Sequence, residues 1–195
     1  ISYLTTGYAT DADVEIPEGS SQLALVVTDG GDGYDCDHAD WITPTVIMND
    51  GSEIDLTTQT YLRGTCGWGS LGVNKNLSGG TLSIDGNKYS KGFAVHANSI
   101  LLFDLPEGAV RFKAHAGIDN TGSDQGSKSS VEFLVFNEDP TLRTETTDQW
   151  SGGNVTIKID PGKQVACSGY IGKKGKQLAN IEADITGAEK LYLVV

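Results

Sequence analysis

Apolar and polar residues alternate with a period of two in short segments, at 23–27, 81–84, 131–136, 155–159 and 190–195, each bounded by Gly, Asp, Asn or Pro. That period puts successive side chains on opposite faces of an extended backbone, so the segments read as β-strands. No run of ten or more residues carries a capped i, i+3, i+4, i+7 apolar stripe, which leaves room only for short helical turns. The 25 glycines suit many tight turns, and regular short strands with turn signals point to an all-β sandwich or jelly roll rather than βαβ units. At 195 residues and 38% hydrophobic content, the chain can bury a sizeable core. Its apolar runs, such as 23–27 and 100–103, fall far short of the ~20 residues a membrane helix needs, so no membrane partner is expected. With 14 Lys and Arg against 26 Asp and Glu, the formal charge of -12 would repel a phosphate backbone, and no nucleic-acid partner is expected either.

Three segments share a strand, Gly-bearing turn, strand pattern, at 14–25, 103–113 and 183–193. Leu25-Val26-Val27 of the first matches Leu193-Val194-Val195 of the third, almost a domain length apart. The spacing suggests that residues 1–55 carry either the end of a preceding repeat or a permuted terminal strand with an Asp-rich loop. The body of the domain would then be residues 56–195. Coincidence between two ordinary hairpins is the alternative.

The densest polar feature is Asp29, Asp32, Asp35, Asp37 and Asp40, five carboxylates in twelve positions interleaved with Gly30, Gly31 and Gly33. Left alone these charges repel, and a hard divalent cation with oxygen ligands relieves that. A loop-type calcium site on Asp29, Asp32, Asp37 and Asp40 is expected, with backbone oxygens completing the shell. The spacing is not that of an EF-hand, and zinc has only His38 and Cys36 to draw on. A solvated acidic turn is the competing reading.

Trp68, between Gly67 and Gly69, can present a ring face of the kind on which a sugar stacks, and Trp41 at the end of the acidic stretch is a second candidate. For either Trp taken alone, burial in the core is the competing role. His96 and Asn98, followed later by Asp119, supply the mixed donors and acceptors that sugar hydroxyls need. Cys36 and Cys66 fall in the two loops, so a disulfide between them is an option in an oxidising compartment. No nucleophile elbow, HExxH motif or phosphate-cradling loop occurs, and no pair among the 26 acidic residues stands out for glycoside hydrolysis. The chain does not read as an enzyme.

Together, Asp29 through Gly33, Asp37 through Trp41, Lys91 through Ser99, Gly117 through Asp119, and Phe103 with Arg111-Phe112 resemble the NPCBM domain, also called the family 51 carbohydrate-binding modules. In that family the Leu-x-Leu-Val-Val and Asp-rich segment closes the domain, whereas here it stands near the start. The resemblance implies a β-sandwich of the galactose-binding jelly-roll type, secreted or on the cell surface of a bacterium, often with a structural calcium ion. It also implies a non-catalytic module that binds galactose-containing glycans for a parent glycoside hydrolase. Carried onto this chain, it points to Trp41, Trp68, His96 and Asp119 for sugar contact, with Asn98 second. The rival reading is a calcium-stabilised structural or docking domain without glycan binding.

Overall fold

The computed structural model describes residues 9–125, 129–141 and 164–172, the last as backbone. Two antiparallel sheets face each other. The first sheet contains β1 (Ala9–Glu15), β3 (His38–Met48), β4 (Glu53–Asp55), β6 (Gly72–Val73), β9 (Gly92–His96) and β11 (Ala109–Ile118). Its order is β1-β11-β3-β9-β6, with β4 paired to β3. The second contains β2 (Gln22–Thr28), β5 (Arg63–Gly64), β10 (Ser99–Asp104), β12 (Ser130–Phe136) and β13 (Gln164–Gly172), in the order β13-β12-β2-β10-β5. The chain passes from one sheet to the other along β1, β2 and β3 and again along β9, β10, β11 and β12. A hairpin of β7 (Leu82–Ile84) and β8 (Asn87–Tyr89) forms a third, two-stranded sheet. The all-β sandwich expected from the alternation is the observed architecture. The segments 155–159 and 190–195, and the third hairpin at 183–193, lie outside the described residues.

Strand parity explains the burial. Leu23, Leu25 and Val27 of β2 face the layer between the sheets, with Trp41, Phe93, Phe103, Phe112 and Phe133. The intervening Ala24 and Val26 join Ile100, Leu102, Leu134 and Phe136 in a second buried cluster on the other face. A strand buried on both faces reads as a continuous apolar run, and 23–27 is such a run rather than the alternation expected of it. On the outer face of the first sheet, Ile42 and Ala94 are covered by Leu82 and Ile84 of the hairpin.

Between Lys113↔Thr45 and His115↔Ile42 the β11–β3 register shifts, so Thr43 and Pro44 together oppose one residue. A bulge suits proline, which has no N–H to give a ladder, and Thr43 takes the positive φ of 46° there.

Strands from before and after residue 55 interleave in both sheets. β2 lies between β10 and β12, and β3 lies between β11 and β9. The first fifty-five residues therefore supply the middle strand of each sheet.

Candidate functional site

The first half of the acidic stretch is a loop, but from His38 onward it is strand β3. His38 pairs directly with His96 of β9, so both side chains leave the same face of the first sheet and their rings meet edge to face, centroids 5.3 Å apart. Trp68, on the connection from β5 to β6, stacks on His38 at 5.9 Å and 20° and contacts His96 at 5.9 Å. Tyr34 of the acidic loop meets His96 edge to face, centroids 6.3 Å apart. The two histidines are buried, whereas Trp68 is 61% and Tyr34 49% exposed. The result is an open aromatic platform on a rigid base.

Backbone contacts hold the tryptophan. Gly67 donates its N–H to the His96 carbonyl at 3.0 Å. The Cys66 Sγ accepts the His96 N–H at 3.2 Å, and its thiol donates to the Trp68 carbonyl at 2.9 Å. Position 67 has to be glycine, because a Cβ there would lie 2.1 Å from the Ala97 carbonyl oxygen.

Hydrogen bonds also set the histidine tautomers. His96 Nδ1 lies 2.7 Å from the Ala97 carbonyl oxygen, which can only accept, so Nδ1 carries the proton. His38 Nδ1 lies 2.8 Å from Thr121 Oγ1, whose hydroxyl donates to Asp119 Oδ1 at 2.5 Å, so His38 donates too. Both rings then turn Nε2, a lone-pair acceptor, away from these anchors. Burial lowers the pKa of each, and for His38 the neighbouring His96 adds to it, so both are neutral at pH 7. The platform thus offers ring faces and neutral acceptors.

The acidic loop borders the platform. The Asp29 N–H donates to Asn98 Oδ1 at 3.1 Å, Asp32 accepts the Ser130 hydroxyl, and Asp37 Oδ1 accepts the Ser130 N–H at 2.8 Å. Asp37 is buried and its Oδ2 has no hydrogen-bond partner among the described residues. Burial, with Asp32, Asp29 and Asp35 nearby, pushes its carboxyl up to about 8, although the Ser130 N–H works against the shift.

The structure redistributes the residues expected from the sequence. Trp68 and His96 come together at the platform. Trp41 does not: fully buried, it packs edge to face on Phe133 at 4.9 Å and Phe112 at 6.2 Å, and has no face for a sugar. Asp119 is also buried; Oδ1 caps the short helix α1 (Asn120–Ser123) through the Thr121 N–H and Oδ2 accepts the Ser83 N–H. It reaches the site only through Thr121 and His38, as a positioning residue. Asn98 is partly buried, and its carbonyl braces the acidic loop.

Asp40 leaves the expected cation set, because three steps along an extended chain separate it from Asp37 and turn it to the opposite face. There it sits buried beside Asp119, and burial with that neighbouring carboxyl raises its pKa well above the ordinary range. Among the described residues no three His, Cys, Asp or Glu side chains converge as a metal set. Cys36 and Cys66 are separate thiols, the first 3.8 Å from Gln125 Oε1, so the disulfide option is not taken.

Tyr34 and the platform role of His38 were not legible in the sequence. The available signal was parity, since His38 and His96 become neighbours once 38–48 is a strand paired to β9.

Among the described residues no helix is long and apolar enough to cross a membrane. Comparison with curated proteins and with solved structures finds no match. The sequence pattern of the NPCBM/NEW2 domain, by contrast, matches residues 2–47 and 52–195. With the antiparallel sandwich and the exposed aromatic platform in place, that match identifies the chain as a member of the NPCBM/NEW2 domain family of carbohydrate-binding modules.

Proposed function

We propose that the Trp68 platform binds the sugar rings of galactose-containing glycans, and that the module thereby holds a secreted or cell-surface bacterial glycoside hydrolase on its substrate. The observation that carries this reading is an exposed indole stacked on one buried, neutral histidine and tilted against a second. A pyranose can lay its C–H face on the indole while its hydroxyls donate to the Nε2 atoms. Each hydrogen bond nets only about 1 kcal/mol against water, so single-site affinity falls in the micromolar to millimolar range.

Calcium belongs to the same proposal, at Asp29, Asp32 and Asp37. The orphaned Oδ2 of Asp37 favours it, and the carboxylates would have to draw together around the ion with backbone oxygens completing the shell. When bound, the ion would neutralise the loop beside Tyr34.

The test is a glycan array probed with the chain and with Trp68→Ala, each in calcium and in chelator, with melting temperatures alongside. Binding to terminal galactosides that falls at least tenfold in Trp68→Ala, with unchanged melting, is the expected outcome. Silence of the wild type with calcium-dependent melting would instead support a cation-stapled docking domain. Melting indifferent to chelation would remove calcium from the account.

A further inference from the structure

Six Lys or Arg residues, Arg63, Lys75, Lys88, Lys91, Arg111 and Lys113, lie among those described with their side chains. Four are ion-paired: Arg63 with Asp139 at 2.7 Å, Lys91 with Asp55 at 2.6 Å, and Arg111 and Lys113 with Asp13. Lys75 and Lys88 form no ion pair among the described residues, and both line one cleft of about 600 Å³, with Asn74, Thr81, Tyr89 and Ser90. In a chain of net charge -12, two cations without carboxylate partners at one concavity need a reason.

The cleft walls are pinned. Asn74 donates its N–H to the Gly92 carbonyl at 2.8 Å and its Oδ1 accepts the Gly92 N–H at 3.0 Å. The buried Asn76 accepts the N–H groups of Ser78 and Gly80 at 3.1 and 2.8 Å and donates to the Thr81 carbonyl at 2.9 Å. These bonds fix the backbone of an open, shallow cleft, whose rim carries the exposed Lys75 and Lys88, the Thr81 and Ser90 hydroxyls and a half-buried Tyr89 ring. Such a set suits an anionic group attached to a sugar.

We propose that this cleft is a second saccharide subsite, which takes the sulfate or carboxylate substituent of an acidic glycan. The inference rests on the reading of the chain as a glycan binder, but uses different residues from the Trp68 platform. Gly92, at the cleft, and His96, at the platform, stand four strand residues apart, roughly 13 Å. Screening at physiological salt acts over about 8 Å, so the acidic loop beyond the platform is largely screened from the cleft.

The test is calorimetric titration of one galactan oligosaccharide in sulfated and desulfated forms, against the wild type, Lys75→Gln/Lys88→Gln and Trp68→Ala. Both lysines are exposed, so the double variant retains the fold. The wild type should bind the sulfated form about tenfold more tightly at low salt. The double variant should lose that preference and bind the desulfated form as the wild type does. Trp68→Ala should weaken both forms alike. If the desulfated form fails to bind the wild type, the platform reading fails, and lysine-dependent binding of the sulfated form still decides this one. The proposal is overturned if the double variant keeps the preference or if the wild type shows none. Complete displacement by sodium sulfate equimolar with the oligosaccharide would also overturn it, because the sugar would then contribute nothing.

Discussion

At the residue scale, Asp40 carries the clearest consequence. It is buried on the outer face of β3 beside Asp119 and makes no ion pair among the described residues. Burial and the neighbouring carboxyl make the folded protein hold the Asp40 proton well above the pH at which an unfolded chain releases it. A folded pKa raised in this way gives stability that is complete below the ordinary carboxylate range and is lost as pH rises through the folded value. Stability should therefore fall from about pH 4 upward, by at most about 1.4 kcal/mol per pH unit for this one proton. Asp40→Asn, neutral and nearly isosteric, should flatten that part of the curve and leave the Asp37 share, which has the same sign. Urea unfolding at pH 5 and pH 8 checks this, and parallel losses in the two proteins would exclude Asp40 as the source. The same residue shows what one-dimensional reading missed. Asp40 looked like a loop carboxylate because it continues a run of aspartates, yet it is a strand residue under a hairpin. Trp41 was read as a possible platform for the same reason, and parity sent it into the core.

At the scale of elements, the site depends on how the 65–71 connection is held against the end of β9. Gly67 and Gly69 flank the same tryptophan but do different work. A Cβ at Gly67 collides with the Ala97 carbonyl oxygen, which belongs to the backbone and cannot swing aside. A Cβ at Gly69 meets nothing within 4 Å, and only the φ of 72° there opposes it. Gly67→Ala should displace Trp68 and weaken glycan binding at least tenfold. Gly69→Ala should cost about 1 kcal/mol of stability through left-handed strain and leave affinity within about threefold. Titration and thermal melting of the pair separate the two effects, and equal losses of affinity would show that the close approach at Gly67 does not position the ring. The Gly-Trp-Gly pattern was visible in the sequence as a way to expose a ring. Which glycine carries the packing was not, because that depends on β9 arriving from 29 residues later.

At the scale of the whole molecule, both sheets are closed by strands from the first fifty-five residues. A fragment starting at residue 56 would leave β10 and β12 without the β2 ladder between them, and β11 and β9 without β3. It would also lose Leu25, Val27 and Trp41 from the core. Such a fragment should show no cooperative melting and a collapsed amide spectrum, whereas the full chain should melt in one transition. A folded, cooperative 56–195 fragment would restore the boundary that motif order suggested. Alternation, glycine-rich turns and the absence of a helical stripe were enough to determine an all-β sandwich, because the two-residue period and its turn residues are local properties of the chain. The grouped motifs likewise determined the family. The tertiary structure decided which motif residues meet: it paired His38 with His96, laid Trp68 on both, withdrew Trp41, Asp40 and Asp119 into buried positions, and gathered Lys75 and Lys88 at one cleft. Those outcomes depend on which strand lies beside which, and pairing between distant segments is a long-range choice that no local pattern encodes.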